Sequence, residues 1–326
     1  MAKSPEDIQF EVDAFRELEP FVADQVNRHE KVAKPWYPHD YVPYDLATNY
    51  ASMGGKDYEA DIPEDPEQAR LLAAIQAALE VNTGTEENLP DYSGAIKLAF
   101  GRSGAWGYWA NRWTAEEGRH GIALHDYLVA TRAVDPVQLE DTRMALVING
   151  FTPGERSPFD VAAYVTPQEQ ATRVAHRNTG AVSGDPILKR LLTRISNDET
   201  LHYQFYRNNV KQTLSGALGQ RAANVMMRSV TEEIRNFAMP GVNAIPDFGK
   251  KALQIYDAGI YTLDMELDDV FNHILSEREL DVWNLNGLNG DGDAAREELD
   301  GILKEKKVNA ERFAQWRAEQ RAKESR

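Results

Sequence analysis

The sequence predicts an all-α protein, a four-helix bundle with additional flanking helices. Three observations carry that expectation. Apolar residues recur at steps of three and four over most of the chain, the spacing of one helix face. Strand-like alternation is nearly absent, and the interruptions fall at Pro, Gly and Asp–Pro rather than between short β-branched runs. Hydrophobic residues make up 42% of the 326, enough for a sizeable core and too many for wholesale disorder. No stretch approaches the roughly 18 apolar residues of a membrane helix, and no apolar leader opens the chain, so a cytoplasmic protein with no membrane span is expected. The absence of cysteine excludes disulfides, thiolate zinc sites and iron–sulfur clusters of its own. A net charge of −16, from 36 basic and 52 acidic residues, disfavours nucleic acid as a partner.

Residues 1–32 predict one helix, with Ile8, Val12, Phe15, Leu18, Val22 and Val26 on one face. The run KPWYPHDYVPYD (34–45) stops it, because each proline removes an amide donor, and the chain reads as loop through Gly54 and Gly55 to Pro66. From there to about Asn284 the pattern is almost wholly helical. Interruptions are expected at Thr83–Gly84, Gly101, Asp135–Pro136, Gly150–Pro158, Ser183–Pro186, Leu218–Gly219 and Pro240–Pro246. The loop NLNGLNGDGD (284–293) leads into a charged last helix over about 294–324, which is either a docked arm or a mobile tail. The expected organisation is an N-terminal helix and Pro/aromatic loop packed on the bundle (1–65), a bundle core (66–284), and a Gly/Asn loop with a charged C-terminal helix (285–326).

Two of the seven histidines follow a glutamate by three residues: Glu117/His120 in EEGRH and Glu199/His202 in DETLH. With 28 glutamates in the chain, chance gives fewer than one such pair. The setting is more telling than the count. Leu188, Leu191, Ile195, Glu199, His202 and Tyr206 share one helix face, as do Trp106, Trp109, Trp113, Glu117, His120, Leu124 and Tyr127. Both pairs therefore interrupt stripes that should face the core, where an unpaired charge costs several kcal/mol, by order of magnitude. A bound cation removes that conflict. A buried, hydrogen-bonded Glu–His pair explains one such motif as readily; two on different helices favour metal.

A dimetal reading requires two further carboxylates. Glu86 precedes Glu117 by 31 residues and Glu169 precedes Glu199 by 30, so Glu–about 30–Glu-x-x-His occurs twice. That separation suits antiparallel helices of about five turns that bring both groups to one depth. Glu86 shares a stripe with Leu89, Ser93, Ile96 and Phe100. Glu169 shares a face with Thr172 and His176, the latter a candidate support for the ligands. Four carboxylates and two imidazoles suit two iron or manganese ions in a four-helix bundle.

The segments TEENLP (85–90), RWTAEEGRHG (112–121), PQEQATRVAHRNTG (167–180) and DETLHYQFYRN (198–208) resemble, in order and at similar spacing, the four metal-binding helices of the soluble acyl-(acyl carrier protein) desaturases of plants and actinobacteria, a ferritin-like diiron family. KPWYPHDYVPYD resembles the segment before that family's bundle, and the resemblance spans roughly residues 25–240. It implies that Glu86, Glu117, His120, Glu169, Glu199 and His202 hold two irons, with Glu117 and Glu169 including the bridging or shifting carboxylates and the sequence not deciding which of them bridges. Thr172 matches a hydroxyl residue beside the family's oxygen site; a Thr bonded to its own helix carbonyl is the plain alternative. Glu116 and Asp198 are candidates to orient the ligand histidines through the second ring nitrogen. Trp36 matches an aromatic on an electron path. The chain departs from the plant pattern at Gly118, where plants have Asn, and at Tyr203, where they have Glu.

The resemblance further implies O2-dependent removal of two hydrogens from an acyl chain, giving a cis double bond, with electrons from a ferredoxin-type donor and a homodimeric enzyme. Candidate lining residues of an apolar channel are Trp113, Leu98, Phe100, Phe151, Phe159 and Tyr164. An acidic acyl carrier protein needs a local basic patch, for which Arg28, Lys31 and Lys34 are the candidates; an exposed helix C-terminus that favours cations is the alternative. Two rival readings remain at this level: another diiron oxidase such as an N-oxygenase, which needs a compact polar pocket, and a non-catalytic metal-binding bundle.

Overall fold

A computed structural model describes residues 3–47, 62–150 and 156–324, and every regular element among the described residues is helical. The single helix expected over residues 1–32 is two, α1 (Pro5–Glu17) and α2 (Glu19–Val32). Pro20 is the cause. It has no amide proton for the Arg16 carbonyl and its ring crowds that group; the Leu18 N–H turns back to the Arg16 carbonyl instead. The stripe survives the break, with Phe15, Leu18, Val22 and Val26 buried. Short 3-10 turns follow at Pro38–Asp40 and Tyr44–Leu46, and Trp36 and Val42 are buried between them and the bundle. The part of the expected loop containing Gly54 and Gly55 lies outside the described residues.

Next come α3 (Pro66–Glu87), α4 (Leu89–Phe100), α5 (Gly104–Ala130), α6 (Pro136–Asn149), α7 (Pro158–Val182), α8 (Pro186–Leu214) and α9 (Gln220–Arg235). Asp65, Asp135, Ser157 and Asp185 each cap a helix that opens on proline, accepting an N–H of its first turn. That combination supplies an acceptor for an orphan donor and fixes φ at a position that needs no donor. Helices α3, α5, α7 and α8 make the four-helix bundle, with α2 and α4 against α5, and α9 against α7 and α8. A β-carbon on Gly180 would lie 3.3 Å from Lys189 Cα and Leu192 Cβ, so glycine lets α7 and α8 meet closely beside their turn.

The interruption expected at Thr83–Gly84 does not occur; α3 runs through it to Glu87. Gly84 serves packing instead: a β-carbon there would lie 2.8 Å from Leu146 Cδ1 of α6. The break falls at Asn88, with Pro90 in the first turn of α4. Glu86 therefore does not share a continuous helix with Ile96 and Phe100, as its expected stripe required.

After α9 the chain forms a 3-10 turn at Val242–Ala244 and α10 (Phe248–Asp257). Then α11 (Leu263–Met265), a π-helical segment (Glu266–Asn272) and α12 (His273–Leu275) follow one another. The last helix, α13 (Asp291–Glu324), starts inside the Asn/Gly/Asp loop rather than at 294, and it is a docked arm. Ala295, Leu299 and Ile302 are buried, and Thr231 Oγ1 of α9 donates to the Ala295 carbonyl at 3.0 Å. Further along, Arg317 donates to Asp257 of α10 through Nε at 2.9 Å and Nη2 at 2.6 Å. No described helix is long and apolar enough to cross a membrane.

Candidate dimetal centre

Glu86 sits in the last turn of α3, Glu117 and His120 in the middle of α5, Glu169 in α7, and Glu199 and His202 in α8. All six are between 0% and 7% exposed. They converge as two groups, Glu86–Glu117–His120–Glu199 and Glu117–Glu169–Glu199–His202, with the donor atoms of each within 4.8 Å of one another. Glu117 and Glu199 belong to both groups and Glu169 to one. The pair common to both groups is Glu117 with Glu199; of the two carboxylates the resemblance singled out, Glu117 belongs to both groups and Glu169 to one.

Both imidazoles turn Nδ1 inward. His120 Nδ1 lies 3.4 Å from Glu117 Oε2, 3.3 Å from Glu199 Oε1 and 3.8 Å from Glu86 Oε2. His202 Nδ1 lies 2.7 Å from Glu117 Oε1, 3.5 Å from Glu169 Oε2 and 3.7 Å from Glu199 Oε2. Yet both Nδ1 atoms, Glu117 Oε1, Glu169 Oε2 and both Glu199 oxygens are buried without a hydrogen bond. Buried polar atoms that go unmatched are rare and expensive. Six of them facing one space, all oxygen or imidazole nitrogen, fit a pair of borderline-to-hard cations.

The electrostatics agree. Burial, then the charge of Glu117, push Glu86 and Glu169 well above the usual carboxylate range. Burial opposes ionisation of Glu199 too, but the close imidazoles of His120 and His202 outweigh it and hold this carboxyl well below that range. Burial disfavours charge on the imidazoles, yet Glu117 and its neighbours drive His120 and His202 well above the ordinary histidine value. Without cations the cluster keeps protons to limit its own repulsion.

The outer ring nitrogens are held crosswise. His202 Nε2 on α8 lies 3.0 Å from Glu116 Oε2 on α5, and His120 Nε2 on α5 lies 3.4 Å from Asp198 Oδ2 on α8. Asp198 Oδ2 also accepts from the Trp36 indole at 2.6 Å and Arg119 Nη2 at 2.8 Å, while Oδ1 accepts from Arg194. Burial raises the Asp198 carboxyl, but its hydrogen bonds and the His120 charge bring it down to about 2. Glu116 Oε1 accepts from Arg112 Nε at 2.8 Å, and Oε2 lies 3.0 Å from His29 Nε2 as well as from His202. Burial works against that charge; the bonds from His202 and His29 prevail and hold Glu116 well below the usual range. His176 Nε2 lies 3.3 Å from Glu86 Oε1, and burial brings this imidazole down to about 4, so it stands neutral beside the cluster. Thr172 Oγ1 donates to the Glu169 carbonyl at 3.0 Å and the Gln168 carbonyl at 3.2 Å.

Sequence reasoning missed His29, Arg112 and Arg119, and the indole of Trp113, which donates to Glu169 Oε1 at 2.9 Å. His29 was within reach: it follows Val22 and Val26 on the buried face of α2, a polar residue in an apolar stripe like the six candidate ligands themselves.

A cavity of about 250 Å3 reaches the centre, lined by Glu86, Glu117, Trp113, Tyr164, Gln168 and Thr172 among others. A second, of about 480 Å3 and mostly apolar, lies among α3, α7, α10 and the π-helical segment, with Phe313 of α13 in its wall. The two share Thr172, Ala238 and Met239. Of the expected lining residues, Trp113 and Tyr164 serve. Leu98 does not; it is 83% exposed on the outer face of α4. Phe100 and Phe159 fill the core around Phe15 and Trp106 rather than a cavity wall, and Phe151 lies outside the described residues. Arg28, Lys31 and Lys34 are exposed at the end of α2 and just beyond it.

A helical bundle that carries two overlapping carboxylate–imidazole groups defines a class, the proteins that hold a pair of cations between helices. The fatty acid desaturase model matches residues 10–326. The chain is 40% identical over 318 residues to the acyl-[acyl-carrier-protein] desaturase DesA1 of Mycobacterium tuberculosis, covering 95% of this chain and 90% of that one. It is 30% identical over 309 residues to the chloroplastic stearoyl-[acyl-carrier-protein] 9-desaturase of Simmondsia chinensis, covering 89% and 74%. The X-ray structure of the acyl-ACP desaturase DesA2 from M. tuberculosis matches with a TM-score of 0.63 at 28% identity, covering 81% of this chain and 96% of that one. The chain belongs to the fatty acid desaturase family, as the four segments led us to expect.

Proposed function

We propose that the chain is a cytoplasmic acyl-[acyl-carrier-protein] desaturase that uses two irons, O2 and electrons from a ferredoxin-type donor to place a cis double bond in a carrier-bound acyl chain. The observation that carries the reading is the cluster of six unmatched buried donors opening onto an apolar cavity. The curated relatives named above as acyl-carrier desaturases support the substrate class. When bound, the irons supply, from O2 and two electrons, the oxidising power to take hydrogen from an unactivated methylene.

In this reading Glu86, Glu117, His120, Glu169, Glu199 and His202 are the ligands, and iron is the metal the resemblance implies, with manganese a chemical alternative. Trp113 orients Glu169, and His176 orients Glu86. Asp198 and Glu116 hold the ligand imidazoles with Nδ1 inward, and Trp36, bonded to Asp198, leads electrons towards His120. Thr172 lines the cavity with Glu86 and Glu117; its hydroxyl, bonded here to the Gln168 and Glu169 carbonyls of its own helix, serves the oxygen site on rotating away from them. The cavities hold the acyl chain and keep water from the reacting carbon. The bundle within 66–284 carries every ligand, the 1–65 segment adds Trp36, and 285–326 forms an outer arm. The carrier docks on Arg28, Lys31 and Lys34, and the enzyme works as a homodimer.

The N-oxygenase reading calls for a compact polar pocket, which the mostly apolar lining here does not favour. One experiment decides. The purified protein is loaded with iron, supplied with stearoyl- or palmitoyl-carrier, a ferredoxin system and O2, and assayed for unsaturated product. About two irons per chain with product supports the reading; two irons and no product points to another oxidase, and no transition metal after reconstitution to a scaffold.

A further inference from the structure

We propose that His29, on the N-terminal helix α2, is a positioning residue for the metal ligand His202. This rests on the dimetal reading above. His29 is 5% exposed, and its Nε2 lies 3.0 Å from Glu116 Oε2, the same oxygen that lies 3.0 Å from His202 Nε2. One carboxylate oxygen therefore accepts from two imidazole N–H groups, while the other oxygen is taken by Arg112. With both oxygens occupied the carboxylate cannot rotate, and its direction fixes the tautomer and ring plane of His202, whose Nδ1 faces the cluster. His29 Nδ1 is buried with no hydrogen bond, so a second proton there would go unmatched and the Nε2–H tautomer is the one that fits. The ring itself is pinned. It lies parallel to His202, centroids 6.0 Å apart, with Trp109 edge-on to it at 5.0 Å.

The two ligand histidines are thus supported unequally. The carboxylate behind His120 is tied to an indole and two guanidinium groups; the one behind His202 is tied to a guanidinium and an imidazole from outside the bundle. Removing His29 should affect one metal position and spare the other.

The test is Co2+ titration of the apo full-length chain, followed optically, with His29→Leu, His29→Met and His29→Gln. The glutamine amide can still donate to Glu116, whereas leucine and methionine cannot, and methionine serves should leucine fail to fold. The expected result is two binding steps in the wild type, one of them weakened by about 10- to 100-fold in the leucine or methionine variant and recovered in the glutamine variant, since supports of this kind contribute that much to metal affinity. In iron-loaded protein, one of two Mössbauer doublets should shift. Unchanged steps, equal weakening of both, or no recovery by glutamine overturns the inference while leaving the dimetal reading intact. A wild type that takes up no Co2+ overturns that reading, and this one with it.

Discussion

Glu117 of α5 and Glu199 of α8 stand between the His120 and His202 imidazoles, Glu117 within 3.4 Å of both Nδ1 atoms and Glu199 3.3 Å from that of His120, and each is a member of both donor groups. Glu86 and Glu169 sit at opposite ends with one group apiece. Alanine at Glu117 or Glu199 should therefore abolish binding of both ions, whereas alanine at Glu86 or Glu169 should leave about one per chain. Metal analysis of the four variants decides it; equal loss in all four would contradict the shared-ligand geometry.

The Trp36 indole, bonded to Asp198 at 2.6 Å and stacked on the His120 ring at 6.2 Å between centroids, is not itself among the six candidate ligands. In Trp36→Phe we expect full iron content and a ferredoxin-driven reduction rate lower by about tenfold or more, the scale on which such outer partners act. Stopped-flow reduction would measure it. Reduction at the wild-type rate would exclude this route.

Glu233 on α9 tests a pH effect at a residue outside the six candidate ligands. Burial pushes its carboxyl up to about 7, with the Arg156 guanidinium, 3.3 Å away, only partly offsetting that. The folded value lies above the unfolded one, so the native state holds the extra proton between them. Stability from this group is full below the unfolded value of 4.5 and is lost as pH rises through about 7. Glu233→Gln should be more stable than wild type at pH 8, by on the order of 1–3 kcal/mol, and equal to it near pH 4. Urea unfolding at the two pH values provides the comparison, and a constant difference would refute the assignment.

Met239 borders both cavities. Met239→Trp should crowd both spaces where they share a wall and cut turnover of long acyl chains more than short ones. Competition between chain lengths on the same carrier reads this directly. A uniform loss would mean the two spaces do not hold one chain.

Reversal of Arg28, Lys31 and Lys34 to glutamate should raise KM for carrier-bound substrate severalfold at low salt, leaving iron content unchanged. The effect should shrink as salt screens the patch. Unaltered kinetics would move the docking surface elsewhere.

Much of the fold is legible in the chain. Asp–Pro and Ser–Pro pairs announce helix starts because one residue supplies a cap and the next needs no donor. The six candidate ligands are legible because charge interrupts apolar stripes. What escapes is anything settled by a neighbour distant in sequence. Gly84 resembles a helix breaker until Leu146 is seen against it. Leu98 resembles a lining residue until α4 is seen to turn it outward. Which carboxylate is shared depends on the relative rotation of α5, α7 and α8, which spacing along one helix does not encode. The docking of α13 was open for the same reason: a charged helix with a narrow buried edge reads alike whether or not α9 lies beneath it.

The crosswise bonding of Glu116 to His202 and Asp198 to His120 has a mechanical meaning. Each helix of the pair clasps the other's histidine, so sliding α5 along α8 by a single turn would undo both clasps together. The centre is laced shut against shear, and metal occupancy and helix register should fail as one event when the enzyme is heated.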